Sequence, residues 1–194
     1  MTTIAQALLE ERRPARADAR RNFDALIVAA RDAFAEEGID ASLEDIARRA
    51  GVGIGTLYRN FPTRDDLVEA VYLGEVADIA AHASEIHGLE PFDTFAAWLD
   101  RYTRFAATKR VLLDGLNRDS PVLASCRGVL FGAGEPLLRR AQDAGEARAD
   151  VTIEDAIRLI SGVAGAVYAD PEQRARVIGI AIDGLRAPRG DSPT

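Results

Sequence analysis

The fold is decided between residues 42 and 67, Ser42-Leu-Glu-Asp-Ile-Ala-Arg-Arg-Ala-Gly51-Val-Gly-Ile-Gly-Thr-Leu-Tyr58-Arg-Asn-Phe-Pro62-Thr-Arg-Asp-Asp-Leu67. Leu43, Ile46, Ala47 and Ala50 recur at spacings of three and four, so the stretch before Gly51 reads as a short helix with one apolar stripe. Ser42 stands where a hydroxyl can accept from the free N–H groups of the first turn, and Asp45 three residues on completes a capping-box pattern. Gly51 stops this helix, because glycine enters the left-handed region without a Cβ penalty. The chain restarts at Ile54 and runs to Phe61, where Pro62 forbids continuation. Leu57 and Phe61 are four apart and pack inward, which leaves Gly53, Ile54, Thr56, Tyr58 and Arg59 facing outward or sideways. Two short helices joined by a glycine turn form a helix-turn-helix, whose second member presents its outer face to the major groove of DNA. An exposed Tyr-Arg pair suits a phosphate backbone.

Outward from this stretch the same periodicity continues. Phe23, Leu26, Ile27, Ala30 and Phe34 share one face of a preceding helix that Gly38 ends. Thr63 with Arg64, Asp65 and Asp66 starts a long helix carrying Leu67, Val68, Val71, Tyr72, Val76, Ile79, Ala80 and Ala83 towards Gly88. Beyond Pro91 helices are expected over Phe92–Thr108, Leu112–Asn117, Val122–Asp143, Ile153–Ala169 and Glu172–Arg186, with a kink where Gly132, Gly134 and Pro136 interrupt the third. No alternating run bounded by hairpin signals occurs, so the fold class is all-α, about nine helices. The expected organisation is a basic N-terminal tail over 1–20, a helix-turn-helix domain over 21–67, a second helical domain over 68–187 and a disordered tail over 188–194.

The chain has 194 residues, is 47% hydrophobic and 28% charged, and carries a net charge of −7. That balance suits a globular chain and leaves nucleic acid open as a partner, since clustering of positive charge decides the matter. Arg12, Arg13, Arg16, Arg20 and Arg21 form such a cluster, read equally as a solvated tail or as an arm that touches DNA. No apolar run approaches the roughly 20 residues that span a bilayer, and no leader pattern opens the sequence, so no membrane partner and a cytoplasmic location are expected. Cys126 is the single cysteine, which excludes an intrachain disulfide or a thiolate metal cluster. His82 and His87 lie about 140° apart around an ideal helix and form no metal pair. With no phosphate loop, nucleophile elbow or spaced carboxylate-histidine set, no enzyme, no cofactor and no catalytic or metal residue is expected.

From Leu43 to Leu67 the sequence resembles the signature of the TetR/AcrR family of one-component regulators, the likeness spanning about Phe23 to Tyr72. The resemblance implies an all-α homodimer with DNA-binding heads and a C-terminal domain whose small-molecule effector, in most members, releases the operator. It also implies that Ser42 and Thr56 contact phosphate or a base edge, that Tyr58 contacts phosphate, and that Arg64, where the family more often has lysine, contacts another phosphate. Two departures stand out: Asn60 occupies a position where histidine or tyrosine is common, and Gly53-Ile54-Gly55 lacks polar side chains. Base readout then leans on Ile54 against a thymine methyl, on Thr56, and on Arg59 or the N-terminal arginines. Trp98, Ala106-Ala-Thr-Lys-Arg and Gly162 are similar to the SbtR-like C-terminal subgroup.

In this second half Trp98, Tyr102 and Phe105 put three rings on one helix face, a stripe that reads as core or as pocket wall. As a pocket it would be completed by Leu112, Leu116, Leu130, Phe131 and Tyr168, with Asn117, Arg127 and Tyr102 as polar contacts for an effector. The last two helices carry more apolar face than one hairpin hides: Ile157, Ile160, Val163 and Val167, then Ile178, Ile182 and Leu185, interleaved with small residues. A two-fold four-helix interface between two copies is the expected outcome. The expected partners are therefore double-stranded DNA, a second copy of the chain and an effector, and the rival reading is an architectural DNA-binding dimer without an effector.

Overall fold

A glycine, a proline or a capping side chain marks most of the helix boundaries in the computed structural model, which describes residues 3–114 and 121–188. Nine α-helices are present among the described residues: α1 Ile4–Arg12, α2 Ala17–Glu37, α3 Leu43–Arg49, α4 Ile54–Asn60, α5 Arg64–His82, α6 Pro91–Asp114, α7 Pro121–Asp143, α8 Ile153–Ala164 and α9 Pro171–Asp183. The only extended pairing among them is an isolated bridge between Ala147 and Arg186. The all-helical expectation holds, and several boundaries move.

Helix α1 falls within the stretch read as a basic tail. Thr3 and Gln6 cap it reciprocally, and Ala5 and Leu9 are buried. Leu9 and Ile27 both lie close to Gly74 of α5. Helix α6 is continuous from Pro91 to Asp114, where two helices were expected, and α8 stops at Ala164, five residues early. Helix α7 contains Gly132, Gly134 and Pro136 within one helical run.

The described chain gathers into two compact units. The first comprises Met1–Asp78 with Thr108–Val129. Its core is built from Phe23, Leu26, Phe34, Ile46, Leu57, Phe61 and Leu67, all fully buried. Phe23 of α2 meets Phe61 at the end of α4 with ring centroids 4.9 Å apart, fastening the two helices. The second unit comprises Ile79–Ala107 with the chain from Leu130 onward. Phe92, Phe95, Trp98, Leu99, Tyr102 and Phe105 run through its core along α6, and Ile160 of α8 is buried in the same unit. Glu146 accepts from the Phe92 N–H at 2.8 Å, satisfying a free donor at the start of α6.

Candidate functional site

The turn between α3 and α4 is held by backbone geometry. Gly51 adopts φ +70°, where a side chain is disfavoured, and the Val52 N–H donates to the Ala47 carbonyl at 3.0 Å. Ser42 caps α3 as the sequence predicts, its hydroxyl oxygen accepting from the Asp45 N–H at 3.3 Å. The reciprocal half of the capping box does not form. The Asp45 carboxylate is instead engaged by Arg48 and by Arg49, at 2.5 Å, and hydrogen bonds from these guanidinium groups hold its pKa below the usual value. Arg49 also reaches Glu36 and Glu37, both at 2.7 Å, so one side chain ties α3 to the end of α2.

Helix α4 buries Leu57 and leaves Tyr58 48% and Ile54 36% exposed. Gly53, Gly55 and Arg59 are also exposed, while Thr56 is half-buried. The outward set expected from the spacing is thus displayed together on one two-turn helix. Asn60 turns back, its side-chain amide donating to the Thr56 carbonyl at 2.8 Å. That bond closes the last turn of α4, a use of Asn60 that sequence spacing does not reveal.

Arg64 is placed differently from the expected phosphate contact. Its Nη1 donates to the carbonyls of Ile39 and Ala41, both at 2.8 Å, so the side chain stitches the loop between α2 and α3. A charge-assisted pair of bonds to backbone oxygens orders that loop before any ligand arrives.

The aromatic stripe of the second unit resolves as core. Trp98, Tyr102 and Phe105 are each fully buried, with successive ring centroids 6.1 and 5.9 Å apart. Their polar atoms are spent within the unit: Trp98 Nε1 donates to the Ile79 carbonyl at 3.2 Å, and the Tyr102 hydroxyl pairs with Ser161 Oγ at 2.7 Å. Burial pushes the Tyr102 phenol up, and the Ser161 hydrogen bond acts in the opposite sense. Gly134 of α7 passes so close that a Cβ there would lie 2.5 Å from the Trp98 ring. Nothing in the local sequence announces this contact or the Ser161 partner.

The remaining residues expected around an effector differ in exposure. Phe131 and Tyr168 are half-buried, and the Tyr168 hydroxyl donates to the Val163 carbonyl at 2.6 Å. Arg127 is exposed and belongs to the first compact unit. Leu116 and Asn117 lie outside the described residues.

Among the residues expected at a dimer interface, Ile157, Ile160, Ile178 and Leu185 are already buried within the single chain. Most of their surface is thus covered by their own chain. Val163 and Ile182 are half-buried. The outward apolar side chains are Val167, 98% exposed, with Ile180 at 71% and Leu159 at 40%. Leu159, Gly162 and Val163 follow helical spacing, a signal that could have separated the outer stripe of α8 from its inner one.

Among the described residues no cluster of histidine, cysteine, aspartate or glutamate is suited to a metal ion. No helix there is long and apolar enough to cross a membrane.

The sequence matches two family models: bacterial regulatory proteins of the tetR family over residues 26–71, and the SbtR-like transcriptional regulator C-terminal domain over residues 90–187. The HTH-type transcriptional repressor Rv3405c of Mycobacterium tuberculosis is 42% identical over 94 residues, 47% of this chain and 46% of that protein. The chain thus aligns over about half the length of this curated relative. Among solved structures, the TetR transcriptional regulator SCO0520 of Streptomyces coelicolor is 37% identical with a TM-score of 0.73, covering 86% of this chain and 99% of that one. A TetR transcription regulatory protein of Mycobacterium vanbaalenii is 34% identical with a TM-score of 0.69, covering 90% and 100%. With a matched head, a matched C-terminal domain and a full-length structural relative, the chain belongs to the TetR family of helix-turn-helix, DNA-binding transcriptional regulators, in the branch with an SbtR-like C-terminal domain.

Proposed function

We propose that the chain works as a homodimeric repressor whose α4 helices read the two halves of a palindromic operator and which a small-molecule effector releases. The observation that carries this reading is the outer face of α4, where Ile54, Tyr58 and Arg59 stand exposed behind a turn locked by Gly51. Exposed tyrosine and arginine offer phosphate contacts, and Ile54 and Thr56 offer apolar and hydroxyl contacts to base edges. The Mycobacterium tuberculosis relative named as a repressor supports the polarity. Dimerisation is supported by Leu159, Val167 and Ile180, apolar side chains that the single chain leaves outside. A two-fold dimer would set its paired heads about one DNA turn, or a multiple of it, apart.

A second reading, an architectural DNA-binding dimer without an effector, draws on the second unit: Trp98 and Tyr102 are buried and their polar atoms already paired. A thermal-shift screen separates the two, since an effector present at about 100 times its Kd stabilises by about 2.7 kcal/mol.

The DNA reading is tested by selecting bound duplexes from random sequence with the wild type and three variants. Tyr58→Ala should weaken binding to every sequence alike, whereas Ile54→Ala and Thr56→Ala should change which bases are selected. Equal effects from all three would overturn the division of roles, and recovery of sites without two-fold symmetry would overturn the dimeric operator.

A further inference from the structure

Positive charge on the helix-turn-helix unit is mostly neutralised where it stands. Arg12 pairs with Glu69 at 2.8 Å, Arg13 with Glu10 and, at 2.8 Å, with Asp24, Arg21 with Asp18, and Arg31 with Glu75 at 2.5 Å. Arg48 and Arg49 are taken by Asp45, Glu36 and Glu37, and Arg64 by two carbonyls. Among the described residues from Ile4 to Asp78, three arginines have no such partner: Arg16, Arg20 and Arg59, all exposed. Arg16, Arg20 and Arg59 are the guanidinium groups of this region left open to an outside anion, in a region that is acidic overall and in which the exposed Glu11, Asp32, Asp40 and Asp65 likewise have no guanidinium partner.

Their placement is not scattered. Arg20 lies three residues before Phe23 and extends the stripe on which Phe23 packs against Phe61, and Arg16 precedes the helix as its N-cap residue. Arg20 stands about 4.5 Å further along the helix axis than Phe23, and Arg16 lies beyond it. Arg59 is two residues from Phe61, at the same end of α4. The carboxylates nearest in sequence to Arg20, Asp18 and Asp24, are engaged by Arg21 and by Arg13. The pairs from Arg12 to Glu69 of α5 and from Arg13 to Asp24 of α2 also pin the four-residue connector between α1 and α2. Arg16, the residue before α2, is thereby held at a fixed place on the head.

We propose that Arg16 and Arg20 grip phosphates of the duplex flanking the half-site that α4 occupies, extending the DNA-binding surface beyond the helix-turn-helix. This rests on the operator-binding reading of α4. Arginines that meet phosphate without a base edge add affinity and register but no sequence preference. Each phosphate neutralised on B-DNA contributes about 0.9 to the slope of log affinity against log salt.

The test uses the full chain and its selected operator, titrated by fluorescence anisotropy between about 50 and 200 mM salt. The double variant Arg16→Ala with Arg20→Ala should lower the slope by about 1.8 for each head while selecting the same sequence. Arg16→Lys with Arg20→Lys should keep the wild-type slope, because a point charge suffices at a phosphate. Arg139→Ala, which removes an exposed cation paired with Glu135 on α7, should leave the slope unchanged and controls for net charge. Thermal melts of each variant check that the fold is retained. An unchanged slope in the double alanine variant overturns the proposal, as does an altered base preference at the flanks, which would make these arginines readers of sequence. If the wild type selects an operator and Tyr58→Ala weakens it, such a result removes the flank contacts alone. Failure of the wild type to bind any duplex would remove the operator reading together with them.

Discussion

Helices α4 and α6 both carry aromatic side chains, and they use them in opposite ways. On α4, Tyr58 stands 48% exposed on a helix of seven residues that buries Leu57 alone. On α6, Trp98, Tyr102 and Phe105 are enclosed in ring contact, Trp98 stacks on Tyr102, and the polar atoms of these two are hydrogen-bonded within their own unit. Fully burying a large apolar side chain is worth roughly 1.5–3 kcal/mol, and Tyr58 forgoes part of that gain beside Arg59. The stripe on α6 has already turned its apolar surface into core. The same residue class therefore stands open on the face proposed to read DNA in one region and packs internally in the other, and burial distinguishes them.

The largest expected effect breaks this comparison if it fails. Trp98→Ala should cost about 3–5 kcal/mol of stability, the usual range for emptying a large aromatic site. Tyr58→Ala, an exposed substitution, should stay within about 0.5 kcal/mol in the same urea titration. Equal losses would mean that the two rings play similar parts. Next in size is Gly134→Ala: its Cβ would lie 2.5 Å from Trp98 and 2.6 Å from Ile153 Cδ1, and relieving that overlap should cost about 1–3 kcal/mol. A neutral result would show that the ring has room to move and that the stripe is looser than a core. The smallest effect sharpens the picture. Tyr102→Phe leaves the Ser161 hydroxyl without its partner and should cost about 1 kcal/mol near neutral pH. Because burial raises the Tyr102 pKa, the fold favours its protonated form. Its stability contribution is whole below the ordinary value of 10.0 and fades as the pH climbs through the folded value. Subtracting the denaturation profile of Tyr102→Phe from that of the wild type should reveal this alkaline decline, and parallel profiles above pH 10.0 would contradict it.

The head was legible because its signals are local. Gly38 and Gly51 take positive φ where the reading placed stops, Ser42 caps α3, and Leu57 and Phe61 are buried as their spacing implies. What escaped depends on contacts distant in sequence. Arg64 meets carbonyls 25 and 23 residues away, and nothing around it distinguishes that use from a phosphate contact. Helix α1 had a readable cue in Thr3 and Gln6, outweighed by the arginines that follow. Helix α6 was divided although no glycine or proline lies between Thr108 and Asp114. On α8 and α9 the expected interface set does not divide the apolar residues between an inner and an outer face: Ile160 and Ile178 are buried, whereas Leu159 and Ile180, outside that set, are exposed. An amphipathic pattern shows that a stripe is apolar without showing whether the chain itself or a second copy covers it.

The close passage of Gly134 past Trp98 ties the histories of two positions that lie 36 residues apart in the chain. A mutation that gives residue 134 a side chain is harmful while the indole is in place, and one that trims the indole opens a void while residue 134 remains glycine. Trimming the indole relieves only part of the crowding at residue 134, since Ile153 Cδ1 lies as near, so the fates of three positions are bound together.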